Sequence, residues 1–320
     1  MALTQVDQGL LSSTAQYTGF KNRIINGAMV IDQRNAGAAQ TITTAGGNQY
    51  TVDRWFASCT GANVTGQRVA GTGANAYNYR FTGAASVTNI YFQQRIESVN
   101  MIDLVGSTVT LSVNLANSVL TTVNWVANYP NSTDNYGGGF TAISSGSFTV
   151  NSTLTQYTTQ ISVPAGATTG LQIYFYVGAQ TSGTWTIGNV QLEKGSTATS
   201  FDYRPYGTEL ALCQRYLPAF YGIYNQFAGI ASSTTQAYAT VNFPVTARVA
   251  PTGLVVNAAS AFNVTDITAQ NAAASAISFN VAGVQSAQIL ATSTSLTANR
   301  PTNIFSNSAT SNLYFTGCEL

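Results

Sequence analysis

The sequence predicts an all-β fold in which two β-sandwiches are joined by a short helix. Most of the chain consists of short segments rich in Val, Ile, Thr, Tyr and Phe, separated by clusters of Gly, Asn, Ser and Pro. This pattern is typical of many short strands joined by turns. Apolar and polar residues alternate within several segments, and a single stretch has helical spacing. Packing two sheets face to face buries the apolar side of such strands.

Alternation is strongest in the segment TVTLSVNL. Successive side chains of a strand point to opposite faces, so this segment has one apolar face and one polar face. The apolar face consists of Val109, Leu111, Val113 and Leu115, and the polar face of Thr108, Thr110, Ser112 and Asn114. We predict that the apolar face lies in the core of the first sandwich.

The predicted helix covers the segment GTELALCQRY, residues 207 to 216. Leu210, Cys213 and Leu217 recur at helical spacing. Thr208 is suited to cap the first turn, and Pro218 is suited to end the helix.

This helix separates two regions of different composition. After Tyr216 the charged side chains are Arg248, Asp266, Arg300 and Glu319. We predict an N-terminal arm (1–20), a first β-sandwich (21–207), the connecting helix (208–218) and a C-terminal β-sandwich domain (219–320). A domain with so few charges must avoid edge-to-edge pairing in another way, and burial against sister chains is one way. We therefore expect oligomerisation through the C-terminal domain.

The composition argues against an enzyme and against a nucleic-acid partner. Charged residues make up 7% of the chain, compared with about 25% in an average soluble domain, and the net charge is +1. A chain so close to neutrality has no broad field that attracts nucleic acid or an anionic membrane. Histidine, the side chain most often used for proton transfer and metal ligation near neutral pH, is missing from the sequence.

The three cysteines, Cys59, Cys213 and Cys318, are far apart and odd in number. They show neither a CxxC metal site nor a disulfide framework, and we interpret them as buried thiols of a protein made in a reducing cytoplasm. Residues 1–20 lack the basic and apolar regions of a signal peptide. Because no apolar run reaches membrane-spanning length, we expect no membrane insertion.

Several ordered motifs carry a resemblance to a known family. They are FKNRIINGAMVIDQRNAG from Phe20, YTVDRWFAS from Tyr50, QRIES from Gln94, LVGSTVTLSVNLANS from Leu104 and VQLEKGSTATSFDYRPYGTELALCQRYLP from Val190. This series resembles a domain of tail-fibre and minor structural proteins of tailed phages. The region is also similar to the carbohydrate-binding jelly rolls appended to glycoside hydrolases. The C-terminal third is similar to the small β-domain that often follows the CQRY motif in these phage proteins.

The resemblance implies a jelly-roll fold for the first sandwich and a non-catalytic role in the virion. It implies a tail-fibre or receptor-binding subunit, made in the host cytoplasm, that recognises glycans of the host surface. The implied partners are the chain itself in a homotrimer and the host glycan. The N-terminal arm is suited to bind other tail or capsid proteins, and a loosely ordered tail with no role is the alternative. No cofactor is expected, although the resemblance allows a structural calcium ion.

Two other functions stay open at this point. A capsid decoration, head-fibre or baseplate protein is one alternative, because the same jelly rolls serve both purposes. A polysaccharide depolymerase is the other, and it needs two carboxylates across a cleft. The acids best placed in the sequence are Glu97, Asp134 and Glu193, yet no segment has the look of a catalytic constellation.

Several motif residues have a structural interpretation, because planar guanidinium groups often hold loops together in charge-poor β proteins. Asp53 and Arg54, beside Trp55, are suited to an ion pair under an aromatic lid. Arg34, Arg95 and Arg204 are each suited to an ion pair with Asp32, Glu97 or Asp202. The residues assigned a structural role are Arg34, Asp53, Arg54, Trp55, Arg95, Glu193, Arg204 and Arg215.

Sugar binding needs aromatic faces for the C–H surfaces of the rings, and amides or carboxylates for the hydroxyls. The Gly-rich, loop-like segment from Asn124 to Phe140 combines both. The segment from Tyr216 to Phe227 is a second candidate, with core or intersubunit packing as its alternative. The candidate residues are Trp125, Asn128, Tyr129, Asn131, Asp134, Asn135 and Tyr136 in the first segment, and Tyr221, Tyr224 and Asn225 in the second.

Overall fold

A computed structural model describes residues 20–72, 75–266, 271–294 and 296–320 of the chain. Contacts divide the chain into unit 1, which ends at Tyr206 and also includes Leu320, and unit 2, which is Gly207–Glu319. Both units are β-sandwiches, so the predicted all-β fold is confirmed. The predicted N-terminal arm, apart from Phe20, lies outside the described residues.

Strands of three to fifteen residues and a short β2 build unit 1. A short helix, α1 (Ser98–Met101), and a 3-10 turn at Ile102–Leu104 follow β6. In chain order the strands are β1 (Gln40–Ile42), β2 (Gln49–Tyr50), β3 (Phe56–Thr60), β4 (Val64–Ala70), β5 (Tyr77–Thr82), β6 (Asn89–Ile96), β7 (Thr108–Asn117), β8 (Thr122–Ser132), β9 (Asn135–Thr149), β10 (Thr155–Ser162), β11 (Leu171–Val177) and β12 (Thr184–Lys194).

The strands of unit 1 form two antiparallel sheets. The back sheet has the order β1-β4-β5-β12-β7-β10, and the front sheet has the order β2-β3-β6-β11-β8-β9. The predicted strand TVTLSVNL lies within β7, and Val109, Leu111, Val113 and Leu115 are all fully buried. Apolar side chains of the two sheets meet in one core.

Large aromatic rings fill the centre of the unit 1 core. The indole of Trp55 stacks on Phe92, with ring centroids 4.6 Å apart, and Phe92 also stacks on Tyr79 at 5.1 Å. Phe81 stacks on Trp185 at 5.1 Å and meets Phe92 edge-on at 5.4 Å. Rings of this size bury large areas in geometries that add favourable ring–ring contact, so they join the two sheets.

The segments that enter and leave unit 1 are hydrogen-bonded to each other. The Asp202 carboxylate accepts from the backbone N–H groups of Lys21 (2.9 Å) and Asn22 (3.2 Å). The Arg204 guanidinium donates to the carbonyl of Ile24 (3.2 Å). Charge-assisted bonds of this kind are stronger than neutral ones, and here they hold the two segments side by side.

The helix α2 (Tyr206–Gln214) connects the two β regions of the sequence. It begins one residue before and ends two residues before the predicted bounds. Thr208 lies inside the first turn, so its predicted role as the cap was wrong. Pro205 precedes the first helical residue, and its ring fixes φ of the backbone that leads into the helix. No helix of the described ranges is long and apolar enough to cross a lipid bilayer.

Unit 2 contains a large sheet and a small sheet. In chain order its strands are β13 (Ala219–Tyr221), β14 (Gln226–Ala231), β15 (Gln236–Asn242), β16 (Gly253–Val256), β17 (Phe262–Asp266), β18 (Ala272–Ala273), β19 (Ala276–Ala282), β20 (Ser286–Thr292), β21 (Pro301–Ser306) and β22 (Asn312–Thr316). The large sheet has the order β18-β17-β21-β14-β15-β20-β19, and the small sheet has the order β13-β22-β16.

Alanine is frequent in the core of unit 2. Phe262 and Phe315 supply large rings, while alanines occupy many of the other buried strand positions. The buried alanines include Ala231, Ala237, Ala239, Ala287 and Ala291.

Candidate functional site

The outer face of the front sheet carries aromatic and amide side chains. Along β6, Phe92 points into the core while its neighbours Tyr91 and Gln93 are half-buried on the opposite face. Along β11, Phe175 points inward and Tyr174 and Tyr176 point outward. This parity follows from the two-residue period of a strand.

Three of these tyrosines lie against one another. Tyr91 and Tyr176 are directly opposite in register, and their rings stack at 5.5 Å. Tyr174 lies 6.4 Å from Tyr91 and 6.2 Å from Tyr176 between ring centroids. Burial raises the pKa of Tyr174, and the two neighbouring tyrosines add to the increase. The Tyr174 hydroxyl therefore stays neutral at physiological pH, and the three rings together form the tyrosine platform.

Amide side chains lie beside the tyrosine platform. Gln172 is opposite Arg95 on β6 and opposite Asn128 on β8, and its Nε2 donates to Gln93 Oε1 at 2.8 Å. The Asn128 side chain is 9% exposed. Among the residues that the structure describes, none donates a hydrogen bond to its Oδ1. A buried acceptor without a partner is energetically unfavourable, and this one belongs to a residue that lines the groove described next.

An open groove of about 400 Å³ runs over this face. Aromatic, amide and hydroxyl groups make up most of its walls. The described residues that line the groove include no Asp or Glu, and the Arg95 guanidinium on its wall donates through Nη1 to a Leu320 oxygen at 2.6 Å. The lining residues are Asn48, Ser58, Tyr91, Gln93, Arg95, Asn128, Tyr136, Phe140, Gln172 and Tyr174.

Tyr136 connects the groove to the strands below it. Its hydroxyl donates to the carbonyl of Ile96 (2.5 Å) and accepts from the N–H of Leu171 (3.1 Å). Burial and the nearby Asp134 carboxylate raise the pKa of Tyr136. A Cβ at Gly170, whose φ is +127°, would lie 2.4 Å from this hydroxyl. Gly170 therefore leaves the space that the Tyr136 ring occupies.

The first predicted sugar-binding segment is a β-hairpin, not a loop. Residues 122–132 and 135–149 form β8 and β9, and Asp134 (φ +54°) lies in the turn between them. Asn128 and Tyr136 line the groove, as already described. Trp125 does not line the groove. It shares the inward face of β8 with Val123 and Ala127 and is 4% exposed. Its predicted role in sugar binding was therefore wrong.

The other residues of this segment support the hairpin. Tyr129 is half-buried against the unit 1 core. The Asp134 carboxylate accepts from the backbone N–H (2.7 Å) and hydroxyl (3.1 Å) of Ser98, which fastens the tip of the hairpin. Asn131 and Asn135 are exposed; Asn131 Oδ1 accepts from a neighbouring hydroxyl and Asn135 Oδ1 from a backbone N–H.

The second predicted segment lies in unit 2. Tyr221, the last residue of β13, is 53% exposed, and Tyr224, in the turn between β13 and β14, is 67% exposed. Asn225 Nδ2 donates to the carbonyls of Tyr221 (3.2 Å) and Gly222 (3.1 Å), so this amide closes the turn. A separate groove of about 320 Å³ is lined by Phe220, Asn225, Gln226, Phe227, Ala228, Thr240 and Asn242. Tyr221 and Tyr224 are not among its described lining residues.

The motif arginines bind carbonyls and aromatic rings. Arg54, 2% exposed, donates to the carbonyl of Arg95 at 2.6 Å. Arg34 lies over the Tyr50 ring, with 4.7 Å from its guanidinium carbon to the ring centroid. Asp32, one of the acids predicted to pair with these arginines, lies 3.8 Å from the guanidinium of Arg68. Arg204 donates to carbonyls of the entry segment, and Arg215 lies 6.0 Å from the ring centre of its neighbour Tyr216.

The buried members of the YTVDRWFAS motif fix its own loop. The Asp53 carboxylate accepts from the backbone N–H of Gln33 at 2.8 Å and from its side-chain amide. Trp55 Nε1 donates to the carbonyl of Asn26 at 3.1 Å. These contacts give Asp53 and Trp55 places in the scaffold beneath the front sheet.

The described residues do not show a calcium site. No three acidic or cysteine side chains cluster in the described part of the chain. Glu193 accepts from Gln191 (2.9 Å) and from the backbone and hydroxyl of Thr199 (2.8 and 2.6 Å). Because the carboxylate is occupied by donors of the protein itself, it does not fit the role of a calcium ligand.

Sequence reasoning missed Tyr91, Gln93, Gln172, Tyr174 and Tyr176. A signal for them was present, since in NIYFQQRI and LQIYFYV these residues alternate with core positions. Aromatic residues on the outer face of a strand are surplus to the core and indicate a contact surface. Which strands lie side by side does not follow from the alternation, so the cluster itself was not foreseeable.

Comparisons with known proteins find similar solved structures but no matching protein family. No family model and no curated protein matches the chain. A solved CBM4 carbohydrate-binding module has 17% identity and a TM-score of 0.35, and the match covers 53% of this chain and 98% of that one. The enzymatically active domain of tailspike protein 4 of bacteriophage CBA120 has 19% identity and a TM-score of 0.38, covering 55% and 22%.

A further match is a family 11 carbohydrate-binding module from Clostridium thermocellum, in complex with a mixed-linked tetrasaccharide. It has 14% identity and a TM-score of 0.32, and the match covers 51% of this chain and all of that one. The fold of the present chain rests on its own strand order and register, described above.

Proposed function

We propose that the chain binds glycans without cleaving them, through the groove on the front sheet. The observation that carries this proposal is the tyrosine platform next to a buried, unpartnered amide oxygen. Tyr91, Tyr174 and Tyr176 offer flat apolar faces to the C–H surfaces of sugar rings, while Gln93 and Asn128 offer groups for the hydroxyls.

The lining of the groove supports binding rather than hydrolysis. Glycoside hydrolysis uses a pair of carboxylates about 5–10 Å apart on the two sides of the scissile bond. None of the described residues lining the groove is an acid. Asp134, one of the acids singled out from the sequence, is hydrogen-bonded to Ser98 at the hairpin tip.

The motif series that begins at Phe20 is the basis on which we propose the location of the protein. The series resembles phage tail-fibre proteins, and we propose a virion protein, made in the host cytoplasm, that acts as a receptor-binding subunit at the particle surface. The N-terminal arm is its proposed attachment to other tail or capsid proteins. Virions labelled with an antibody against this chain and viewed by electron microscopy test this placement, and label confined to the capsid shell would contradict it.

We also propose that three copies associate through unit 2. Asp266 is the single charged residue in the described strands of the large sheet, and it is buried on the inner face. On the outer face, Pro301, Ile230, Tyr238 and Leu290 lie opposite one another in register and form an apolar row across four strands. Copies in contact raise avidity for a dense glycan surface even where each groove binds weakly.

A glycan array probed with the full chain tests the proposed binding. Tyr174→Ala removes a ring of the platform that lines the groove and is expected to weaken binding to the recognised glycan about tenfold. Tyr206→Ala is the matched control, because Tyr206 is 64% exposed and does not line the groove. Absence of binding to every host-envelope glycan, or equal loss in the two variants, contradicts the proposal.

A further inference from the structure

The groove of unit 2 lies where two strands of the large sheet separate. β14 and β15 pair with each other over residues 229–231 and 237–239. Towards the groove, β14 stays paired with β21 as far as Gln226, and β15 stays paired with β20 as far as Asn242. The residues of β14 and β15 that line the groove all lie in this separated part, and they are Gln226, Phe227, Ala228, Thr240 and Asn242.

Backbone groups of two facing residues border the groove. The Ser232 N–H donates to the Gln236 carbonyl at 2.9 Å, so every second residue pair of this ladder, counted from there, is placed to exchange backbone hydrogen bonds. In the same register Gln226 is opposite Asn242, but the two strands are not paired at these residues. Their N–H and C=O groups therefore face the groove instead of completing the ladder, and a ligand can bond to them.

The side chains around the groove are uncharged and include an aromatic ring. Gln226, Thr240 and Asn242 are exposed, and their amides and hydroxyl can both donate and accept. The half-buried ring of Phe220 packs edge-on against the buried ring of Phe227, with centroids 5.4 Å apart. A ring held in this way loses little conformational freedom when a ligand binds beside it.

We propose that the groove of unit 2 is a second binding site, which takes an uncharged sugar of one or two rings. The amides, the hydroxyl and the open backbone groups meet the sugar hydroxyls, and the Phe220 ring meets a C–H face. The described lining residues carry no charge, so the groove offers an ionic ligand no counter-charge. This site lies in unit 2 and does not depend on the function proposed for the front sheet of unit 1.

The dimensions of the groove favour a short ligand. Its volume of about 320 Å³ is at the lower end of the range of about 300–1,000 Å³ that is usual for small-molecule sites. Most of the lining comes from two neighbouring strands, which lie about 5 Å apart where a sheet is paired. A second copy of the chain fits less well, because the groove is concave and polar, whereas the apolar row lies on the paired part of the same strands.

Saturation-transfer NMR tests the site with four probes on the full chain carrying Tyr174→Ala, which weakens the front-sheet groove. The probes are cellobiose, lactose, N,N′-diacetylchitobiose and, as a hydroxyl-rich control without a ring, sorbitol. At least one disaccharide is expected to bind about tenfold more tightly than sorbitol. If no disaccharide binds, or if sorbitol binds as tightly, the inference is overturned, whatever the glycan array shows for the front sheet.

Two amide variants of one strand locate the binding. Asn242→Leu removes an amide of the groove and is expected to weaken disaccharide binding about tenfold. Gln236→Leu, at an exposed position in the paired part of β15, is the matched control and is expected to keep the full affinity. Equal affinities in the two variants overturn the assignment. Circular dichroism checks that both fold, and Thr240→Val, which keeps the shape but removes a hydroxyl, is expected to weaken binding as well.

A titration at several protein concentrations separates the sugar from a second copy. The disaccharide affinity is expected to stay constant over a tenfold range of protein concentration. An affinity that falls as the protein concentration rises would show that a second copy competes for the groove, and this result overturns the inference.

Discussion

The two units bury different kinds of side chain. The core of unit 1 is built around stacked rings of Trp55, Trp185 and Phe92, whereas the strands of unit 2 bury many alanines. Large rings bury much apolar surface per residue, so unit 1 has its main source of stability inside itself. The alanines of unit 2 bury less apolar surface per residue than these rings do, and the described strands of its large sheet have an uncharged outer face that contact between copies would bury.

The first prediction breaks the core of unit 1 by truncation. Trp55→Ala is expected to lower the free energy of unfolding by about 3–5 kcal/mol, because it leaves a cavity and removes the donor to the Asn26 carbonyl. All three tryptophans of the sequence, Trp55, Trp125 and Trp185, lie in unit 1. Urea unfolding followed by tryptophan fluorescence therefore reports this unit.

Trp185→Phe is the control for this experiment. No described residue accepts a hydrogen bond from the buried Trp185 Nε1, so phenylalanine removes an unsatisfied donor and leaves a smaller cavity. The expected loss is below about 1.5 kcal/mol. Equal losses in Trp55→Ala and Trp185→Phe would show that neither the cavity nor the Asn26 hydrogen bond governs the stability of this core.

The second prediction breaks the core of unit 2 by enlargement. Ala239 is 2% exposed on the inner face of β15, and Ala239→Leu is expected to cost about 1–3 kcal/mol through overpacking. Thr240→Leu, at the next and exposed position, is expected to change stability by less than about 0.5 kcal/mol. Urea unfolding followed by circular dichroism measures both. A stabilised Ala239→Leu would mean that the alanine core has unfilled space.

The third prediction concerns alkaline pH in unit 2. Burial raises the pKa of the Cys318 thiol to about 11 from its ordinary value of 9.0. Below pH 9 the thiol is protonated in the folded and unfolded chains alike. Between pH 9 and 11 the unfolded chain releases the proton first, so unfolding becomes easier by roughly 1 kcal/mol.

Urea midpoints of the unaltered chain and of Cys318→Ala, measured at pH 8 and pH 10.5, check this contribution. The unaltered chain is expected to lose more stability than the variant between the two pH values. Parallel losses would show that other groups, such as the buried tyrosines of unit 1, account for the alkaline decline.

The fourth prediction has the smallest effect on folding and concerns the edge of the large sheet. The edge strand β19 carries Val281, which is 58% exposed, and its sequence AISFNVA has no charge and no proline to discourage pairing. Val281→Lys is expected to change stability by less than about 0.5 kcal/mol and to weaken association between copies. Sedimentation velocity over a concentration series measures it. Val249→Lys, exposed and outside the strands, is the control, and identical behaviour of both would mean that β19 does not pair.

The sequence carried enough information for the fold class and for one face of each strong strand. Val109 and Leu111 are buried as their alternation predicts. Thr110 and Ser112, on the polar face, are buried as well, and Thr110 donates to the carbonyl of Gly195 at 2.8 Å. Alternation predicts the side of the sheet on which a residue lies. It does not predict which later segment of the chain covers that side.

The candidate site was harder to predict because it depends on which strands are neighbours. Tyr91 and Tyr176 are far apart in sequence and meet only through the pairing of β6 with β11. The Gly-rich composition around Tyr136 favoured a loop, yet long-range pairing made it part of a hairpin, and the inward parity of that hairpin placed Trp125 in the core. Local composition cannot anticipate such tertiary pairing.

The hydrogen bonds from the backbone of Lys21 and Asn22 to the Asp202 carboxylate affect how unit 1 can be exchanged between proteins by recombination. Because the first and last segments of the first sandwich lie next to each other, the sandwich is a domain whose two ends are adjacent. Recombination could exchange it for a cassette of another specificity without forcing the flanking sequences to span a new distance. The residues that form these hydrogen bonds therefore also mark the positions at which the two junctions of a chimaeric protein would lie.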